Sequence, residues 1–185
     1  MNWFIAFPIP PIQGLAETLK GIPEHCRVIH PADLHLTLAF LGSCGETAAF
    51  RAWEFVSMLP LPSFVFEPHH LEAFGNPKRP SALGIVPRSA SSVLSQFMLL
   101  YRDQLCDIAG AKRELRPPRP HVTIARPPKR ATHQELDLCN KWAKQATCPS
   151  EPIFLSTLAL YTWAEDRSVQ QFRVIAQAPI AANGS

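Results

Sequence analysis

The pentapeptide pattern His-x-Thr-x-Ala occurs twice, at 35–39 in HLTLAFLG and at 121–125 in HVTIARPP, each time inside an aliphatic run. Side chains alternate faces along a strand and rise about 3.3 Å per residue. Strict alternation therefore sends His35, Thr37 and Ala39 to one face, and Leu34, Leu36, Leu38 and Phe40 to the other. His121, Thr123 and Ala125 likewise oppose Val122 and Ile124. Each strand is expected to have one oily face and one face with an imidazole, a hydroxyl roughly 7 Å further along, and a small methyl. A polar face of that kind needs partners or solvent, so a fold that repeats it must leave room for something beside it.

Other segments fit around these two strands. Alternating or apolar runs at 3–7, 26–30, 63–73, 81–86, 152–163 and 169–178 read as strands, with the last two forming a hairpin across Ala164 to Ser168. Helical spacing marks 13–20, 46–59, 89–109 and 132–144. In the third of these, Val93, Leu94, Phe97, Leu100, Tyr101 and Leu105 are expected to form one buried stripe, and the serines before it to cap it. Strands joined by short turns and mixed with helices indicate an α+β fold with largely antiparallel sheets. The echo between halves predicts two pseudo-symmetric lobes facing a central cleft, helices outside. We expect one bilobal domain over 1–180 and a flexible tail over 181–185.

Composition narrows the function. The 46% hydrophobic share supports a substantial core, and 19 prolines imply many rigid, extended loops. A net charge of +3 is too small to hold nucleic acid by field alone, but between Lys112 and Arg130 seven cationic residues face only Glu114. Five cysteines without a C-x-x-C pair argue against a disulfide framework or zinc knuckle and read as thiols of a reducing cytoplasm. The N-terminus is apolar but lacks a basic leader and is broken by Pro8, Pro10 and Pro11; no run is long enough for a membrane span.

Two imidazoles and two hydroxyls around one small volume can perform acid–base chemistry. With an ordinary pKa near 6.5, one ring can accept a proton while the other donates one. The hydroxyls can donate to the oxygens that gather charge in a phosphoryl transition state. In-line displacement at a phosphodiester needs these parts. The residues alone leave open which ring is the acid, because the two would titrate as a coupled pair.

The pieces Phe4-Ile5-Ala6, L-H-L-T-L-A-F-L-G at 34–42, R-P-H-V-T-I-A-R at 119–126 and Leu160-Tyr161 resemble those of the 2H phosphoesterase superfamily, and within it the RNA 2′,3′-cyclic phosphodiesterases, also called 2′-5′ RNA ligases or LigT-like proteins. The resemblance implies a bilobal fold with the motifs on facing central strands, no metal or other cofactor, and hydrolysis of RNA 2′,3′-cyclic phosphate ends to 2′-phosphomonoesters. It implies His35 as proton donor, His121 as proton acceptor, and Thr37 and Thr123 as phosphate grips. The chain departs from the family where Asn2 stands in place of a frequent Arg and Thr162 follows Leu160-Tyr161 in place of a basic residue.

Arg126 is expected on the face opposite His121, unless the strand ends or bulges after Ala125 and lets its guanidinium reach a phosphate. Arg119 and Tyr161 are further candidates for substrate binding, the tyrosine together with Trp163 as a base-stacking surface. Lys78, Arg79 and the adjacent His69-His70 read as solvated residues. Expected partners are RNA ends or cyclic nucleotides as substrate, with no membrane and no obligate protein partner. Rival readings are a phosphodiesterase or ligase acting on another cyclic or 2′-5′ linked nucleotide, and a catalytically silent RNA-binding module.

Overall fold

In the computed structural model, residues 1–76, 78–89, 93–168 and 170–180 are described. Within these the strands are β1 (Trp3–Pro8), β2 (Arg27–Val28), β3 (His35–Gly42), β4 (Phe64–Phe66), β5 (Pro68–Asn76), β6 (Arg79–Pro87), β7 (Val122–Arg126), β8 (Ile153–Leu155), β9 (Thr157–Trp163) and β10 (Phe172–Pro179). The α-helices are α1 (Leu15–Thr18), α2 (Glu46–Ser57), α3 (Val93–Ile108) and α4 (His133–Gln145). The fold is α+β with antiparallel pairing throughout these strands.

The main sheet runs β10-β9-β1-β3-β7-β6-β5, with β2 on β7 and a separate β4–β8 ribbon. Its two halves meet at β3 and β7, where the one recorded Cα pair is Leu36 with Val122. Every other neighbouring pair on that path shares at least three register positions. The seam between the halves is thus the thinnest joint in the sheet, and both His-x-Thr motifs border it.

Apolar faces explain the layering. Leu36, Leu38, Val122 and Ile124 are buried in one large cluster with Ala49, Ala52, Val56 of α2, Leu94, Phe97, Leu105 of α3, and Cys139, Trp142 of α4. Helices therefore cover one face of the sheet. A second, small cluster of Phe4, Ala6, Ala159 and Tyr161, with Phe172 against it, occupies the other face.

Several expectations change. The helix expected over 13–20 shrinks to Leu15–Thr18, because it opens on left-handed Gly14 with no side-chain cap, and so short a helix has little stability of its own. The strand expected over 26–30 retains two residues. Val93 and Leu100 are not core residues: they are 64% and 65% exposed. At about 100° per residue they lie roughly 110–130° around α3 from the line Leu94, Met98, Tyr101, Leu105. The serine cap at Ser91 and Ser92 and the tail 181–185 lie outside the described residues. Helix α4 starts where expected, with Thr132 and Glu135 forming a reciprocal capping box.

Candidate functional site

Both motif strands break strict alternation at the same place. Along β3, Ala6 faces Thr37 and Ile5 faces Ala39, so Leu38 is an extra residue. Along β7, Gly84 faces Thr123 and Leu83 faces Ala125, so Ile124 is extra. These are β-bulges, which put two residues of one strand opposite one of its partner and reset the phase. Leu38 with Ala39, and Ile124 with Ala125, are consequently all buried in the helix-side core. The two alanines therefore do not share a face with His35 and His121. Phe40, expected in the oily layer, is 53% exposed and pairs with Phe4 on the histidine side. Arg126 makes the same turn: the bulge brings it to the histidine side, where its charge acts on both rings.

Leu36 opposite Val122 in an antiparallel pair sets His35 beside Thr123 and Thr37 beside His121. The two histidines are then diagonal neighbours, whose Cβ atoms lie roughly 7–8 Å apart or less in such a ladder. The separation suits two rings that address one tetrahedral group between them.

Each imidazole is held in the same way. His35 Nδ1 lies 2.6 Å from the Asp33 carbonyl oxygen, and His121 Nδ1 lies 2.8 Å from the Arg119 carbonyl oxygen. A carbonyl only accepts, so Nδ1 carries the hydrogen in both rings. In the neutral rings Nε2 is then the basic nitrogen, and backbone geometry two residues upstream has chosen it. Aromatic walls fix the ring planes: Phe4 at 4.9 Å and Phe172 at 5.3 Å for His35, and Phe74, stacked at 4.0 Å, for His121.

Burial dominates the electrostatics. Desolvation lowers His35 to about 4, opposed by its bond to Asp33 and reinforced by Arg126 and His121. His121 is lowered for the same leading reason, with Arg119 and Arg126 adding repulsion and Glu72 opposing it. Both rings are thus neutral near pH 7 in the free protein. Arg126 donates to the Ser81 carbonyl at 3.2 Å, and although its tip reaches solvent, enclosing protein and Arg27 lower its pKa while leaving it cationic.

The structure brings Arg126 to the site but gives the other candidates different surroundings. Arg119 forms an ion pair with Glu72 and lies 5.3 Å over the Phe74 ring, while its carbonyl positions His121. Tyr161 is only 3% exposed, stacked parallel on Phe4 at 4.9 Å, so it backs the His35 wall and presents no free face for stacking a base. Trp163 stacks on Phe172 and carries Arg167 at 4.0 Å. Arg79 donates to the Lys129 and Ala131 carbonyls and so braces the loop after β7. Within the basic segment, Arg113 pairs with Asp107 and Arg116 with Glu114, which reduces the charge available to a polyanion.

Four contributors escaped the sequence. Buried Asp33 accepts from the Gln171 amide at 2.8 Å and the Phe172 amide at 3.0 Å, tying β10 and the Phe172 ring to the backbone that holds His35. Arg27 stands opposite Arg126 across β2–β7 and doubles the local cationic charge. Phe74 stacks on His121. Gly84 leaves room for both: a Cβ there would sit 3.0 Å from the Val122 carbonyl, 3.2 Å from Phe74 and 3.5 Å from His121. Each comes from a segment distant in sequence from the motif it serves, or from a residue type too common to flag.

Residues 7–83 match the family described as LigT like Phosphoesterase. An RNA 2′,3′-cyclic phosphodiesterase of Bacillus subtilis (strain 168) is 27% identical over 133 residues, covering 68% of this chain and 70% of that protein. Among solved structures, a phosphoesterase aligns with TM-score 0.73 at 19% identity over 97% of both chains. E. coli LigT complexed with 3′-AMP gives 0.70 at 19%, again over 97% of both. A protein of Thermus thermophilus gives 0.70 at 17% over the full length of each. Over residues 7–83 the chain is thus similar in sequence to the LigT like phosphoesterases, and over nearly its whole length its fold is similar to that of E. coli LigT.

Proposed function

We propose that this chain hydrolyses RNA 2′,3′-cyclic phosphate ends to 2′-phosphomonoesters. The observation that carries the reading is the matched pair of imidazoles, each pinned at Nδ1 by a carbonyl two residues upstream and each with Nε2 available on the same side of the sheet. In this reaction His121 Nε2 takes a proton from water as its oxygen attacks phosphorus, and His35 Nε2 gives one to the departing 3′ oxygen. Thr37 and Thr123 donate to the non-bridging oxygens, and Arg126 with Arg27 offsets their charge. The assignment of donor and acceptor follows the family resemblance. The name of the Bacillus relative and the 3′-AMP bound by E. coli LigT both support a nucleotide end as substrate.

Free His35 is neutral near pH 7, so the donor must acquire its proton as the ligand arrives. An anionic phosphate supplies the reason: it cancels the repulsion from Arg126 and favours the imidazolium. Binding of a cyclic phosphate at neutral pH is therefore accompanied by proton uptake, measurable by calorimetry in buffers of different ionisation enthalpy.

The decisive experiment incubates the protein with a short RNA ending in a 2′,3′-cyclic phosphate, in the presence of EDTA, and identifies the product. A 2′-phosphomonoester is the expected result. No turnover, or turnover only after adding a divalent ion, overturns the reading.

A further inference from the structure

Outside the motif site, the fold assembles a second cluster of chemically capable groups. His25 and Cys26 precede β2, and Cys139 lies in the middle of α4, more than a hundred residues later. Cys26 Sγ is 3.1 Å from Cys139 Sγ, and His25 Nε2 is 3.3 Å from Cys139 Sγ and 3.2 Å from the Glu135 carbonyl oxygen. The three ligand atoms all fall within 4.8 Å of one another. Both thiols are buried, while His25 is half-buried and opens the cluster toward solvent.

We propose that His25, Cys26 and Cys139 form a binding site for a thiophilic divalent cation, with Zn2+ as the best match. Tetrahedral zinc with Zn–S near 2.3 Å and Zn–N near 2.0–2.1 Å needs ligand atoms roughly 3.6–3.8 Å apart. Outward movements of about half an ångström bring the Cys26–Cys139 and His25–Cys139 spacings to those values. Charge favours zinc over a monovalent soft ion. Two thiolates neutralise Zn2+ within a buried site, whereas they would leave a monovalent complex with an uncompensated negative charge. The carboxylate of Glu135 adds a favourable field, acting on both His25 and Cys26 from its place in the α4 capping box. Binding releases one proton from each thiol to solvent. His25 moves its ring hydrogen from Nε2 to Nδ1 and gives up the Glu135 carbonyl for the ion, and water completes the fourth position on the His25 side.

The site joins two elements that share little else. Arg27 directly follows Cys26 and faces Arg126 across β2–β7, so the ion would clamp the arginine-bearing strand to α4. Its role is structural, since the imidazoles of the motifs are not among its ligands. A Cys26–Cys139 disulfide is the competing use of the two sulfur atoms, and it makes no use of the His25 contact with Cys139.

The test uses the full-length protein, reduced and freed of metal, titrated with Co2+ and then Zn2+. One equivalent of Co2+ should produce thiolate-to-metal charge-transfer absorption with intense visible bands of a tetrahedral site, and Zn2+ should displace it and raise the melting temperature. His25→Ala and Cys26→Ala should each weaken Co2+ binding at least tenfold; Cys44→Ala and Cys148→Ala should not. His25→Ala alters a half-buried side chain, so its folded state is readily verified by circular dichroism. Absence of the charge-transfer band overturns the site, as does a band that survives both ligand substitutions. So does a protein whose only response is an oxidant-driven Cys26–Cys139 bond.

Discussion

Backbone carbonyls do as much at the candidate site as the side chains named by its motif. Asp33 and Arg119 each supply an oxygen that fixes a ring tautomer, and the Asp33 carboxylate also holds two amides of the β9–β10 hairpin. His35→Ala and His121→Ala should each lower kcat on a cyclic phosphate by about 10²–10⁴, the usual weight of a positioned acid or base; steady-state kinetics at saturating substrate checks this. Asp33→Ala should cost roughly 1–3 kcal/mol of stability in denaturant titrations and reduce kcat/KM, because Phe172 loses its anchor against His35. Depressed histidines also give stability a sign. The folded chain refuses a proton at His35 down to about pH 4, whereas the unfolded chain accepts it near 6.5. Stability therefore falls as pH drops through that window, and His121 adds in the same direction. Melting curves between pH 7 and 4 should show the fall, and His35→Gln should flatten it. The histidines and threonines were visible in sequence because their spacing repeats. Asp33, Arg27 and Phe74 were not, since nothing local distinguishes a buried acid or a wall-forming ring from a surface one.

Elements carry a second layer of information, in where alternation fails. The period-two reading placed Ala39 and Ala125 with the histidines and Phe40 with the core; the shared bulges reverse all three. Bulges depend on cross-strand pairing, so a single strand's pattern cannot announce them, although the Pro127 after Arg126 hinted that regular pairing would stop. Gly84→Ala tests the β6–β7 contact. Its methyl would press on the Val122 carbonyl and on Phe74 and His121, so activity should fall along with about 1–3 kcal/mol of stability. Thr132→Ala, at the start of α4, should cost about 1 kcal/mol with kcat unchanged, because the capping box lies away from the motifs. Helix periodicity was legible where stripes were long, as in α2 and α4, but it blurred at the flanks of α3, where Val93 and Leu100 face water.

At the scale of the molecule, the α+β class, the antiparallel pairing and the two-part layout could be read from strand spacing and the repeated motif. The thinness of the joint between β3 and β7 could not, because it is a property of pairing. The convergence of His25, Cys26 and Cys139 was equally hidden, as spacing rules detect ligands only within short windows. Among the described residues no helix is long and apolar enough to cross a membrane. A sheet stitched by a single residue pair at its middle has a built-in compliance, and the candidate phosphate position straddles that stitch. A ligand gripped from both sides would act as the missing crosspiece. Amide hydrogen exchange at Leu36 and Val122 should accordingly slow on binding a cyclic phosphate, while the outer β5–β6 pair, already joined at eight register positions, stays as it was.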